Sequence, residues 1–315
     1  MCRGNKESMH NMKQTERKFK YLDPAILQKV TGIELKAKLL VEGLYASRHR
    51  SPSYGFSAEF VDHREYSPGD DLRTIDWRTY ARTDRLFVKR FEMESNMNVV
   101  CMLDISGSMG YTPQHKGALT KLEYASYMAA SLCYLVQRQQ DSPGLVTFDT
   151  GIRTFIQPAQ GQRNLALMLS HLEGLKAGDE TKLGETLRRM LDRIPRRGIV
   201  VLISDCHDEP DEVVAGFKLI AARGQELIVF QVLDHDEVTW PFRNLCNFKD
   251  LETGRTLMGD PLALRQLYLE RLSAFTSAIE QGCNSCGADY RLVDTSMPVE
   301  EVLQSYLLMR RQFQR

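Results

Sequence analysis

From Asn96 to the C-terminus the chain alternates short, nearly unbroken apolar runs with longer stretches whose apolar positions recur at helical spacing. The runs fall at 97–104, 145–149, 152–156, 199–204, 227–233 and 289–293. Each is rich in Val, Ile and Leu and bounded by Gly, Pro or Asp, the pattern of strands buried on both faces. Between them the spacing predicts helices near 119–140, 162–175, 182–194, 211–223, 261–281 and 299–311. In the third, Leu183, Leu187, Met190, Leu191 and Ile194 form one stripe. Strands that alternate with helices predict right-handed crossovers and an α/β fold, a doubly wound and mostly parallel sheet covered on both faces. One connection is too short for a crossover. Asp149-Thr150-Gly151 predicts a hairpin, which makes 152–156 an antiparallel edge strand.

Upstream the pattern changes twice. Residues 1–20 show no periodicity and are rich in Lys, Asn, Glu and Gln, so a disordered tail is expected there. Residues 21–95 read as an N-terminal extension of the α/β domain, which occupies 96–315. Its first part predicts a helix from Asp23 to Tyr45, with Ile26, Val30, Ile33, Ala37, Leu40 and Leu44 on one face and Asp23-Pro24 as cap and first turn. Residues 50–95 combine dense alternating charge with Pro68, Gly69, Tyr66, Trp77, Tyr80, Phe87 and Phe91, which predicts strands and tight turns.

Composition narrows the function classes. The chain has 315 residues, 43% of them hydrophobic, enough for a sizeable core. Lysine and arginine number 41, against 41 acidic residues, so no net field draws nucleic acid or an anionic membrane to the surface. No apolar stretch is long enough to span a bilayer, and Met1 to Tyr21 lacks the apolar core of a signal peptide. A cytoplasmic location is expected. The seven cysteines agree with it: Cys101, Cys133 and Cys206 lie inside apolar runs, where reduced cysteine behaves as a small hydrophobe.

In open α/β sheets, ligands bind beyond the carboxyl ends of the strands, where strand order reverses. Two predicted strands end in a carboxylate: VVCMLD at 99–104, continuing as ISGSMG, and IVVLISD at 199–205. The first resembles the metal-ion-dependent adhesion site of von Willebrand factor A domains, whose motif is Asp-x-Ser-x-Ser. The later parts of that site are matched by Thr181 in GDETKLGETL and Asp205 in LISD. The resemblance implies a von Willebrand factor A-type, Rossmann-like fold. It also implies a metal held by the hydroxyls of Ser106 and Ser108, by Thr181 directly or through water, and by Asp104 and Asp205 largely through waters. Hydroxyl and carboxylate oxygens are hard ligands that select Mg²⁺, or Mn²⁺, over zinc or copper. A dication bound mainly by neutral ligands keeps an uncompensated charge, to which a partner's Asp or Glu can bind. In the simpler reading, Ser106 and Ser108 only satisfy backbone groups in a strand-to-helix turn.

A broader resemblance covers nearly the whole chain. REYSPGDDLRTIDWRTYART at 64–83, the DISGSM strand end, FKDLETG at 248–254 and LLMR near the end are similar to the bacterial family called domain of unknown function 58. Members of that family often accompany MoxR-type AAA+ ATPases, so the resemblance implies such an ATPase, or its client, as protein partner. The expected function is docking through a metal, not catalysis.

A Mg²⁺-dependent, phosphatase-like hydrolase is the alternative, with Asp104 as nucleophile or ligand and Asp205, His207 and Asp208 as further ligands or a base. Against it, Ser106 stands where haloacid-dehalogenase-type phosphatases carry their second Asp, and no P-loop sequence occurs. The strip 64–83 allows two roles. Its charges can pair among themselves while Trp77 anchors it to the sheet domain, or Arg and Trp side chains can form a recognition surface. Cys283 and Cys286 make a lone C-x-x-C, for which packing is the better reading than zinc. The histidines, His63 and His207 included, lack paired metal spacing and read as surface or loop residues. Trp240, Pro241 and Phe242 read as a packed loop in preference to an exposed docking patch.

Overall fold

Six of the apolar runs pair into one sheet in a computed structural model, which describes residues 33, 37–38, 40–41, 63–65, 87–89 and 97–313, apart from 114–117, 179, 181, 196 and 253. Two short strands come first, β1 (His63–Glu65) and β2 (Phe87–Lys89), paired antiparallel. They agree with the strands and turns expected of that segment. The main sheet comprises β3 (Asn98–Asp104), β4 (Ser142–Phe148), β5 (Ile152–Ile156), β6 (Gly198–Ser204) and β7 (Gln225–Leu233), with β10 (Asp289–Asp294) at its far edge. Between the last two lies a small antiparallel hairpin of β8 (Cys246–Lys249) and β9 (Thr256–Gly259). The main sheet runs β10-β7-β6-β3-β4-β5, parallel throughout except for β5, which pairs antiparallel with β4.

Helices cover both faces: α1 (Lys121–Arg138), α2 (Gln162–Glu173), α3 (Leu183–Met190), α4 (Pro210–Ala222), the short α5 (His235–Thr239), α6 (Pro261–Ser285) and α7 (Val299–Phe313). Alternation along the strands divides the core in two. Val99, Cys101 and Leu103 of β3 join one cluster with α1, α2 and α7, whereas Val100 and Met102 join the other with α3, α4 and α6. Ile33, Ala37 and Leu40, three of the positions expected on the N-terminal helix face, belong to the α1 cluster. That helix therefore shares the core of the sheet.

The helix boundaries depart from the periodicity in instructive places. The third helix stops at Met190, but the chain continues in turns to the buried Ile194, whose amide donates to the Met190 carbonyl at 3.1 Å, and Pro195 bars helical continuation beyond it. The β8–β9 hairpin was not expected at all: its strands are four residues each and mostly exposed, too short to show a period. Trp240, Phe242, Phe248 and Tyr268 explain how it is held. Trp240 stacks on Phe248 at 5.3 Å, meets Tyr268 at 4.1 Å and Phe242 at 5.1 Å, and its indole donates to the Pro261 carbonyl at 2.9 Å. The segment 240–242 is thus a packed loop, as its sequence suggested. No helix among the described residues is long and apolar enough to cross a membrane. Trp77 and most of the strip 64–83, like the tail 1–20, lie outside the described residues.

Candidate functional site

Strand order reverses between β3 and β6. From β3 the chain proceeds outward through β4 to β5, then returns to the other side of β3 and proceeds through β6 to β7. Such a switch point leaves a crevice above two adjacent carboxyl ends. Asp104 ends β3, and Asp205 directly follows β6. The two strands most central to the sheet thus deliver both carboxylates to one place.

Ser106 and Ser108 complete the cluster. After Asp104 the chain turns through Ile105 and Ser106 into a single 3₁₀ turn over Gly107–Gly110. The Ser106 amide donates to Oδ1 of Asp104 at 2.9 Å, a local bond that bends the chain back over the strand end. The two serine hydroxyls come within 3.1 Å of each other, and Ser108 lies near enough to Asp205 to help lower its pKa. Asp104 and Ser106 are fully buried and Ser108 partly exposed, so the set opens outward on the Ser108 side.

The fifth expected residue, Thr181, lies outside the described residues. Its surroundings are tied to the same strand ends. The Gly178 amide donates to the Ile105 carbonyl at 2.6 Å, and the Lys182 amide reaches the Asp149 carbonyl at 3.5 Å.

Four further side chains that the sequence reading did not single out shape the site. Ser204 donates to Oδ2 of Asp104 at 2.5 Å, and its own oxygen accepts from the Cys206 amide at 2.8 Å. Gln231, on β7, donates to the Asp205 carbonyl at 3.0 Å. Lys121, the first residue of α1, points its ammonium at Oδ2 of Asp205, 2.8 Å away, and at Oε1 of Glu237, 2.9 Å away. A signal for Lys121 was present: it shares an apolar helix face with Ala125 and Met128, where a lysine is out of place unless a carboxylate meets it. Ser204, Gln231 and Glu237 gave none, since only the three-dimensional neighbourhood distinguishes them.

The electrostatics follow from this crowding. Burial alone would lower the pKa of the Lys121 ammonium, but Asp205 and Glu237 more than offset it and hold Lys121 above the usual lysine value. Burial likewise pushes Asp205 up, yet Lys121, His207 and Ser108 bring it below the ordinary aspartate value. In Asp104 burial, and then the charge of Asp205, push the carboxyl up to about 7 despite the bonds from Ser204 and Ser106. Two adjacent buried carboxylates raise each other's cost of ionisation, and the oxygen donors of Asp104, Ser106, Ser108 and Asp205 are of the kind that fits a hard divalent cation.

The other candidates separate from this cluster. Asp208 is engaged in loop bonds, its carboxylate accepting from the Gly184 and Glu209 amides. His207 contributes its backbone amide to Oδ1 of Asp205 at 3.2 Å. Cys283 is buried in the core against α4, and Cys286 caps the end of α6. No three Cys, His, Asp or Glu side chains converge as a metal cage among the described residues, which leaves the C-x-x-C without partners for zinc.

Comparison with known proteins places these features in a family. The family described as "Protein of unknown function DUF58" matches residues 62–274. The uncharacterized protein Rv1480 of Mycobacterium tuberculosis is 26% identical over 271 residues, 84% of each chain. Uncharacterized protein YeaD of Bacillus subtilis is 26% identical over 163 residues, 47% of this chain and 38% of its own. Among solved structures, a conserved hypothetical protein, BatB of Bacteroides thetaiotaomicron, aligns with a TM-score of 0.46 at 17% identity over 69% of this chain and 99% of its own. The SpRpn10 VWA domain aligns with a TM-score of 0.40 at 10% identity, over 66% and 93%.

Proposed function

The chain belongs to the DUF58 family, and on that premise we propose that it is a non-enzymatic docking module with a von Willebrand factor A-like fold, in which Mg²⁺ or Mn²⁺ receives an acidic side chain of a protein partner. The observation that carries this reading is the convergence of Asp104, Ser106, Ser108 and Asp205 at the switch point, where burial and the charge of Asp205 push the Asp104 carboxyl up. Ser106 and Ser108 would hold the ion directly, Asp104 and Asp205 would hold its waters, and Thr181 would complete the set. When bound, the ion supplies a positive charge that neutral hydroxyls leave largely uncompensated. Lys121 pairs with both Asp205 and Glu237, and with the His207 amide on its Oδ1 the Asp205 carboxylate is held in one orientation.

The resemblance noted from the sequence adds a partner class, a MoxR-type AAA+ ATPase or its client. An interaction role also suits the outer side of the hairpin region, where Leu245, Leu257, Met258 and Leu262 are exposed within one short segment. The hydrolase alternative finds less support. Asp104 is fully buried, with Oδ1 and Oδ2 already accepting hydrogen bonds, a poor state for a nucleophile, and Asp208 is committed to its loop.

Capture of partners from the native host, with and without Mg²⁺, tests the proposal. The wild type is expected to retain a protein in Mg²⁺ that both EDTA and the Ser106→Ala/Ser108→Ala variant lose. Without the cation, a partner carboxylate would face Asp104 and Asp205, and each 1.4 kcal/mol or so of repulsion costs about tenfold in affinity. Retention at wild-type strength in EDTA contradicts metal-mediated docking.

A further inference from the structure

Beside the serine loop lies a cavity of about 420 Å³, within the ~300–1,000 Å³ usual for ligand pockets. Gly110, which ends the 3₁₀ turn carrying Ser108, forms one wall. The loop after α2 closes against that turn: a Cβ on Gly110 would meet the Ala177 Cβ at 2.7 Å, and the Gly178 amide donates to the Ile105 carbonyl at 2.6 Å. The start of α1, the end of α2 and Ile33 line the rest of it among the described residues. Asp104, Ser106, Ser108 and Asp205 do not line it, so it is a separate recess at the edge of the loop.

The interior is apolar, with Leu122 and Leu172 buried and Leu175 half-buried. One polar group interrupts it. Ser126 is 5% exposed, and its hydroxyl makes no hydrogen bond among the described residues. Ser131, further along the same helix, shows the usual alternative, donating to the Tyr127 carbonyl at 2.8 Å. At the rim stand Glu123, Glu173 and Lys176, all exposed. Glu123 commits Oε2 to the cap of α1 and keeps Oε1, and Glu173 makes no ion pair among the described residues. Two carboxylates thus outweigh one ammonium, and Glu173 ends α2, whose last carbonyls add the negative end of that helix. The opposing N-terminal end of α1 is already capped by Thr120 and Glu123.

We infer that this cavity receives a tyrosine of the docked partner, with a basic residue beside that tyrosine meeting the rim. The inference extends the docking role proposed above, and the chemistry of the cavity stands without the metal. The ring packs on the leucines, the phenolic hydroxyl bonds Ser126 at the floor, and the cation pairs with Glu123 and Glu173. A phenylalanine would leave Ser126 unsatisfied, and an acidic neighbour would face the two carboxylates. The partner then presents two unlike features to adjoining sites, an acid to the metal and a tyrosine with a basic neighbour to the cavity, which fixes its orientation.

The test is a methyl and amide resonance titration of the full chain in EDTA with tyramine, which joins the phenol to an ammonium, and with two analogues. Phenethylamine lacks the hydroxyl, and desaminotyrosine carries a carboxylate in place of the ammonium. Tyramine should shift the Leu122, Leu172 and Leu175 methyls and the Gly110 amide, and bind about threefold or more tighter than either analogue. Ser126→Ala should erase only its advantage over phenethylamine. Glu123→Gln/Glu173→Gln, in which Gln keeps the capping box of α1, should erase only its advantage over desaminotyrosine. Acetyl-Tyr-Lys-amide should displace it. Equal binding of either analogue by the wild type, advantages that survive these substitutions, or a dipeptide that does not compete overturns the inference. Tyramine binding in a protein that takes up no Mn²⁺ would sink the metal reading alone, and Mn²⁺ uptake without tyramine binding would sink the cavity alone.

Discussion

The ammonium of Lys121 lies 2.8 Å from Oδ2 of Asp205, and both side chains are only 2% exposed. This pair joins the start of α1 to the end of β6 beneath the serine loop, and Glu237 of α5 binds the same ammonium from the other side. A buried ion pair is a modest source of stability as a whole, but removal of one partner strands the other.

Lys121→Met is therefore expected to destabilise the metal-free protein by about 3–5 kcal/mol, the range for breaking a buried pair. Part of that loss should return in Mg²⁺, because the cation then supplies charge to Asp205. Urea unfolding with and without Mg²⁺ checks both statements. A loss below about 1 kcal/mol would mean that water reaches Asp205 far more freely than its burial indicates.

Gly107→Ala probes the contact between loop and hairpin. The added methyl meets backbone, the Leu251 carbonyl at 2.8 Å, which cannot rotate away. Overpacking of this kind costs about 1–3 kcal/mol, and the strain should appear as faster hydrogen exchange across 250–255 with little change in the sheet. Unaltered exchange there would show that the tip does not rest on the loop.

Trp240→Ala should loosen the same hairpin from its anchored end. Its ring contacts Phe242, Phe248 and Tyr268 but is only partly buried, so a loss of about 3 kcal/mol, the low end for large aromatics, is expected. Limited proteolysis should cut first within 243–259 in this variant. Cleavage in the central strands first would contradict a local role.

The pH dependence has a separate source. Nδ1 of His235 lies 2.9 Å from Oδ2 of Asp294, linking the start of α5 to the end of β10. The bond to Asp294 raises the His235 pKa despite partial burial, and the bonds from His235 and Ser296 bring Asp294 below its usual value against the effect of burial. The histidine's contribution is complete below its unfolded value of 6.5 and is lost as pH rises through the raised folded value. The aspartate's contribution is present above its unfolded value of 3.8 and is lost as pH falls through the lowered folded value. The pair therefore stabilises most between 3.8 and 6.5. A nuclear magnetic resonance titration of His235 should report a raised pKa that returns towards 6.5 in Asp294→Asn. An unshifted His235 in the wild type would remove this link.

The sheet was legible because its strands are buried on both faces, so VVCMLD and IVVLISD stand out as apolar runs, and the Asp149-Thr150-Gly151 turn alone dictated the antiparallel edge. Asp104, Ser106, Ser108 and Asp205 were legible for a related reason: strand ends at a switch point meet by topology, whatever the side chains do. Lys121 and Glu237 escaped notice because their bonds join residues 84 and 116 positions apart. The hairpin escaped because what fixes it, four aromatic rings from three segments, has no sequence period.

The most direct test of the account is a Mn²⁺ titration followed by electron paramagnetic resonance, in the wild type and in Ser106→Ala/Ser108→Ala. The account predicts that the wild type takes up one Mn²⁺ per chain weakly, because neutral hydroxyls compensate little of its charge, and that Mg²⁺ competes for the same site. The double variant should leave the signal of free Mn²⁺ intact while its melting temperature stays near that of the wild type, since these hydroxyls lie beyond the strand ends and their loss opens little core volume. Equal uptake by both proteins, or a wild type that ignores Mn²⁺ and Mg²⁺ while binding Zn²⁺ stoichiometrically, would contradict it.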